Sequence, residues 1–202
     1  MKKVLIISAS PRKGGNSDTL CDKFALGAKE NGNQVEKVRL SEKKIGYCTG
    51  CGACDRTHHC VQRDDREELL DQRVNADVIV FATPVYFFSR NGQRKTCINR
   101  TVPRYTEIKN KEFYFIRTSA EEDSPDLHRT REAFRGFTDG CLENPIEKGV
   151  LYATGVWKKG EINSTPFCQR TYEKGKRSLI LYPCFSDNQK ASQADAWEAF
   201  LN

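Results

Sequence analysis

No run of apolar residues in this chain of 202 approaches the roughly 20 that a helix needs to span a bilayer. A membrane-spanning helix is therefore excluded, and no membrane partner is expected. The apolar stretch after Lys2-Lys3 is too short for a signal peptide, and no cleavage-like site follows it. The expected location is cytoplasmic. Charge of one sign does not dominate: 33 Lys and Arg stand against 27 Asp and Glu, with the two signs interspersed. The resulting +6 favours anionic ligands only weakly and is no nucleic-acid footprint. Internal repeats and low-complexity tracts are absent. Methionine is nearly missing, since Met1 is the only one. Cysteine is abundant instead. Nine is an odd number in a chain without an export signal, so metal or redox use is expected rather than disulfides. The length suits one α/β domain with a sizeable core, alone or with an appendage.

The chain is organised around residues 3–20, KVLIISASPRKGGNSDTL. A short apolar run over 4–7 reads as a buried strand. It breaks into a small polar loop, and a helical pattern follows with Leu20, Phe24, Ala25 and Ala28. Free N–H groups at a helix start, with the helix dipole behind them, attract phosphate. Ser8, Ser10, Asn16 and Ser17 can add hydrogen bonds, and Arg12 and Lys13 add charge. The spacing is neither the Walker pattern nor G-x-G-x-x-G. An ordinary strand-to-helix turn capped by Ser17 or Asn16 is the alternative.

Further along, residues 34–40 alternate as a strand. A helix opens at Asp64-Asp65, where the dipole favours acidic residues, and carries Leu69, Leu70 and Val74. Residues 77–82, DVIVFA, form a central parallel strand. The pattern then predicts a helix over 89–101, a strand over 112–118, and a helix from Pro125 to about Cys141. A short strand over 149–154 and a helix over 166–176 follow. Strand and helix alternate, so the expected fold is α/β: a flavodoxin-like three-layer sandwich with a five-stranded parallel sheet, order 2-1-3-4-5. In that order a ligand binds outside the carboxyl ends of the first and third strands. The domain is expected over 1–177. A C-terminal extension over 178–202 includes a candidate edge strand at 179–182 and a candidate helix at 189–201.

The loop after the third strand, Thr83-Pro84-Val85-Tyr86-Phe87-Phe88, is apolar and aromatic. A flat ring could lie against Tyr86 and Phe87 while backbone groups meet its polar edge. Beside a phosphate loop, this suits a ligand with a phosphate at one end and a hydrophobic ring at the other, the shape of FMN. The same aromatics also suit a core or a dimer interface.

Cys48, Cys51, Cys54 and Cys60 read C-x2-C-x2-C-x5-C. Such spacing can wrap a cuboidal iron–sulfur cluster. Zinc competes, because His58 and His59 lie within the motif. Free thiols without any metal are the third reading. The remaining cysteines, 21, 97, 141, 168 and 184, are scattered and read as packing residues.

The loop S-A-S-P-R-K-G-G-N-S over 8–17, the cysteine cluster and A-D-V-I-V-F-A-T-P-V-Y-F over 76–87 together resemble the flavodoxin-like NAD(P)H-dependent FMN reductases. The closer likeness is to their iron–sulfur flavoprotein branch, and it runs from residue 3 to about 176. The resemblance implies bound FMN, with NAD(P)H or a protein such as a ferredoxin-like partner as electron donor, and a [4Fe-4S] cluster on Cys48, Cys51, Cys54 and Cys60. It implies that Ser10, Arg12, Asn16 and Ser17 hold the phosphate. Pro84, Val85, Tyr86 and Phe87 line the ring, and Ser119 and Ala120 close the far side. The hydride chemistry is the flavin's, so no catalytic side chain is implied. A small-molecule electron acceptor and a homodimer or homotetramer are also implied.

Several arginines contradict the apolar pattern. Arg66 and Arg73 fall on the Leu69/Leu70 helix face, Arg90 and Arg94 flank the aromatic loop, and Arg117 interrupts EFYFIRT. Arg rarely enters a core unpaired. The resemblance implies methionine or another apolar residue at such places, so some of these arginines are expected to replace methionines. Three functions compete: an FMN-dependent oxidoreductase passing electrons to flavin, quinone or a similar acceptor; an electron-carrying or redox-sensing flavoprotein; and a phosphate-binding module without flavin.

Overall fold

The computed structural model describes residues 1–122 and 125–177. The expected C-terminal extension, with its candidate strand, helix and Cys184, lies outside the described residues. Strand β1 (Lys3–Ser8) leads to helix α1 (Asn16–Glu30) and strand β2 (Gln34–Arg39). The cysteine segment follows and contains only a one-turn helix, α2 (Cys54–Thr57). Helix α3 (Arg66–Asn75), strand β3 (Val78–Tyr86), the two-residue strand β4 (Ser89–Arg90) and helix α4 (Gly92–Asn99) come next. The described chain closes with β5 (Glu112–Thr118), α5 (His128–Cys141), β6 (Ile146–Ala153) and α6 (Phe167–Lys176).

The sheet order is β2-β1-β3-β5-β6 with all four pairings parallel, while β4 folds back antiparallel on the end of β3. With that hairpin strand left uncounted, this is the flavodoxin-like order 2-1-3-4-5. Alternate residues of β1 serve opposite layers, as the two-residue period of a strand requires. Leu5 and Ile7 pack with Leu69 and Leu70 of α3 and Phe134 of α5. Val4 and Ile6 pack with Leu20 and Phe24 of α1. Phe81 anchors the first layer, with its ring 5.8 Å from both Phe113 and Phe134. In the other layer α1 and α6 cross so closely that glycine is required on both sides. A Cβ on Gly27 would sit 2.1 Å from the Tyr172 carbonyl oxygen, and one on Gly175 would sit 2.2 Å from that of Phe24.

Three boundaries differ from the sequence pattern. The third strand does not stop at Ala82 but runs on to Tyr86, because β4 pairs with its tip. Phe87 and Phe88 turn that corner with φ of 49° and 56°. The helix expected from Ser89 starts only at Gly92, because Ser89 and Arg90 are held in the hairpin and Asn91 caps the helix, accepting from the Arg94 N–H at 3.1 Å. The last strand begins at Ile146 rather than Gly149, with a register shift that the pattern did not reveal.

The arginines do enter the interior. Arg66, Arg73, Arg94 and Arg117 are all buried. Arg66 pairs with the half-exposed Glu67 at 2.5 Å. The other three find carbonyls and rings instead of carboxylates. Arg73 donates to the Cys97 carbonyl at 3.2 Å. Arg94 donates to the Ile7 and Ala82 carbonyls and lies 4.6 Å over the Phe81 ring. Arg117 donates to the Leu127 carbonyl and stacks 3.4 Å over Tyr152. Each of the four keeps at least one buried guanidinium nitrogen without a partner.

Candidate functional site

Two loops meet at the carboxyl edge of the sheet, one leaving β1 and one at the tip of β3. Between them lies a cavity of about 570 Å³, a size typical of small-molecule sites. One end is polar, lined by Ser10, Arg12, Asn16 and Ser17. Gly15 sits at the N-cap of α1 and contributes no side-chain cap, so first-turn N–H groups remain available to an anion. Neither Asn16 nor Ser17 caps the helix, which removes the ordinary-turn alternative in its capped form. Gly15 also has no room for a side chain: a Cβ would stand 2.6 Å from Ser10 Oγ. The other end is apolar, lined by Pro84, Val85, Tyr86 and Phe87. Phe87 is fully exposed and Tyr86 is 47 % exposed.

Asn91 fixes the two loops against each other. Its amide donates to the Ala9 carbonyl at 2.6 Å, and its backbone N–H donates to Thr83 Oγ1 at 3.2 Å. Beneath the polar end, the buried Asp18 accepts from the Gly14 N–H at 2.9 Å and pairs with Lys37 at 2.8 Å. Burial alone would raise its pKa, but Lys37 and the Gly14 amide overcome this and hold the carboxyl below the usual range.

The cysteine segment lies beyond β2. Cys48, Cys51, Cys54 and Cys60 all line one smaller cavity of about 250 Å³. Gly50 and Gly52 carry the chain around it with φ of 67° and 69°. Among the described residues no three Cys, His, Asp or Glu side chains converge on a point that could hold a single metal ion. His58 and His59 do not line the cavity, and His59 instead faces Glu67 at 3.8 Å. The four cysteines thus share one void, and a cuboidal cluster is a group that takes one thiolate at each corner iron.

The family model described as NADPH-dependent FMN reductase matches residues 2–134. The chain belongs to this family. Among curated relatives, an iron–sulfur flavoprotein of Archaeoglobus fulgidus is 44% identical over 101 residues, covering 50% of this chain and 46% of that protein. One of Methanosarcina thermophila is 36% identical over 100 residues, covering 50% and 52%. The chain thus spans about half the length of the curated relatives it matches. Solved structures show the same fold. An NAD(P)H:quinone oxidoreductase from Methanothermobacter marburgensis superposes with a TM-score of 0.71 at 13% identity, over 90% of this chain and 98% of that one. An FMN-dependent NADH-azoreductase from Bacillus anthracis, in complex with FMN, gives 0.67 at 18%, over 89% and 100%.

In this FMN reductase family member, nine of the ten residues named for the flavin from sequence line the larger cavity. Ser119 does not. It is buried, and its Oγ accepts from the Glu121 N–H at 3.1 Å, which shapes the loop rather than the cavity. Asn16 lines the cavity but commits its amide elsewhere. It donates to the Lys158 carbonyl at 3.0 Å and accepts from the Gly160 N–H at 3.1 Å. Sequence reasoning missed Pro11, Thr118, Val156 and Trp157, which complete the lining. Trp157 is 74 % exposed, and its carbonyl accepts from Arg12 at 3.4 Å. The signal was available: Gly155-Val156-Trp157-Lys158-Lys159-Gly160 leaves a parallel strand at its carboxyl end, where ligands of such sheets bind.

Proposed function

We propose that this protein is an FMN-dependent oxidoreductase that takes electrons from NAD(P)H and passes them to a flavin, a quinone or a similar small acceptor. The observation that carries this reading is a cavity shared by the loops of β1 and β3, polar at the α1 end and aromatic at the β3 end. Arg12, Ser10, Ser17 and the α1 N-terminus would hold the phosphate, and Pro84 to Phe87 would lie along the ring. Bound FMN supplies hydride and single-electron chemistry. The chain's own part is to bind, orient and screen. The guanidinium and helix dipole would place the phosphate end, the Asn91 bridge keeps both loops in register, and Tyr86, Phe87 and Trp157 offer apolar surface to the ring.

The test compares FMN with riboflavin, which has no phosphate. Arg12→Ala should weaken FMN by about 1.5–3 kcal/mol, the value of one charge-assisted contact, and leave riboflavin unchanged. Equal weakening of both ligands refutes the phosphate assignment. The fully exposed Phe87 and half-exposed Tyr86 also support a homodimer or homotetramer that covers the ring edge. A monomer by light scattering with FMN bound counts against it.

A second reading rests on the smaller cavity. Its four cysteines support a [4Fe-4S] cluster, with the chain acting as an electron carrier or redox sensor that exchanges electrons with a ferredoxin-like protein. Anaerobically purified protein should then carry about four irons per chain, and Cys51→Ala should remove them without releasing FMN. Iron-free anaerobic protein leaves only the oxidoreductase reading.

A further inference from the structure

Arg100 follows α4 and is 2 % exposed. Its guanidinium reaches both ends of the cysteine segment. Nη1 donates to the Gly46 carbonyl at 2.7 Å, ahead of Cys48, and to Gln62 Oε1 at 3.2 Å, beyond Cys60. Nη1 and Nη2 together donate to the two oxygens of Asp64, at 2.8 and 3.2 Å. Nη2 also donates to Cys60 Sγ at 3.4 Å. Asp64 in turn accepts from the Gly46 and Arg66 N–H groups at 3.0 and 3.1 Å. One buried side chain therefore closes the loop over residues 46–64 and aims an N–H at one of the four sulfurs around the cavity. A lysine lacks the planar fork that makes these contacts simultaneous.

We propose that Arg100 is the positioning residue of the cysteine centre, and that its N–H···S bond to Cys60 raises the reduction potential of a cluster held there. This rests on the reading of the four cysteines as cluster ligands. Adding an electron makes a cluster and its thiolates more negative, and a donor aimed at a ligating sulfur favours that state. Asp64 balances the guanidinium charge overall. The directed N–H, rather than net charge, is what acts on the sulfur. The same contacts hold the loop closed when no metal is bound, so the two roles can be read separately.

The experiment compares wild type, Arg100→Met and Arg100→Lys after anaerobic purification. Iron content and midpoint potential are measured on the loaded protein, by dithionite titration with dye mediators. Tryptic cleavage at Arg56 is timed on protein stripped of iron with a chelator. In Arg100→Met the reduction equilibrium should weaken about tenfold, a fall of about 59 mV for one electron. Its stripped form should be cleaved at Arg56 about tenfold faster than stripped wild type, as expected for a locally opened segment. Arg100→Lys should follow Arg100→Met in both. An unchanged potential with iron retained overturns the tuning, and unchanged cleavage overturns the clamp. Wild-type protein without iron overturns the cluster reading and the potential claim with it, while the cleavage rates still judge the clamp. If Arg100→Met unfolds globally by circular dichroism, Asp64→Asn takes its place. That change replaces one of the fork's two acceptor oxygens, and its charge, with an amide N–H; it leaves Arg100 present and should also speed cleavage at Arg56.

Discussion

Replacing Arg94 by methionine should make this protein more stable, although it deletes hydrogen bonds. Arg94 is fully buried, and its Nε and Nη1 have no partner. Burial pulls the guanidinium pKa down to about 10, and the neighbouring Arg73 and Arg90 charges add to that pull. At 1.36 kcal/mol per pKa unit, holding the charge in the core at neutral pH costs about 3 kcal/mol. The contacts with the Ile7 and Ala82 carbonyls and the Phe81 ring offset part of this cost, by about 1–2 kcal/mol together. Methionine matches the length of the aliphatic stem and adapts to irregular gaps. The expected net gain is about 1–2 kcal/mol, or roughly 2–8 °C in Tm for a chain of this size. Urea unfolding followed by circular dichroism measures it, with Arg129→Met as the exposed control, expected within about 0.5 kcal/mol of wild type. The sign with pH follows from linkage. A cation whose folded pKa is lowered costs stability fully below that pKa and is relieved only as pH rises through about 10. The advantage of Arg94→Met should therefore be flat between pH 6 and pH 9. An Arg94→Met protein no more stable than wild type refutes the argument.

Asn16→Ala should cost about 2–3 kcal/mol, since it leaves the Lys158 carbonyl and the Gly160 N–H without their partner. Limited trypsin digestion should then cut first at Lys158 or Lys159, and unchanged digestion would show that the loop is held otherwise. Asp18→Asn should lower stability by about 1–3 kcal/mol at pH 6. Because the folded Asp18 pKa is depressed, its contribution exists above the ordinary aspartate value and is lost as pH falls through the lower folded one. The gap between wild type and Asp18→Asn, read from urea midpoints, should close towards pH 3; a gap of constant size would contradict this origin.

Much of the fold was legible because its strands obey simple periods. The runs VLII and VIVF are apolar on both faces, as central parallel strands must be, and their order followed from the alternation with helices. The two loops of the candidate site were legible for a related reason: a polar turn and an aromatic turn each leave a strand at its carboxyl end. What stayed hidden depends on side chains that act at long range. Asn91 looks like an ordinary turn residue, yet it ties Ala9 to the β3 loop 82 positions away. Asp64 and Asp65 read as dipole-favoured acids at a helix start. Asp64 also anchors Arg100, and Asp65 accepts from the Lys44 N–H at 2.6 Å. The segment over 41–63 has few apolar residues with which to fold. The polar clamp around Arg100 is an additional source of order that no local pattern announces.

The glycine-to-glycine crossing of α1 and α6 has a consequence for the timing of synthesis. Helix α1 presents the anion-facing turn near the beginning of the chain, yet its back is braced by α6, about 150 residues later. Asn16 likewise waits for residues 158–162. At roughly 5–20 residues per second on the ribosome, the early loop exists for about 7–30 s before its support emerges. A growing chain therefore cannot complete its ligand cavity until nearly all of the described residues have been made. Closure of the cavity is then a late step in the folding of this domain rather than a nucleus around which the rest assembles.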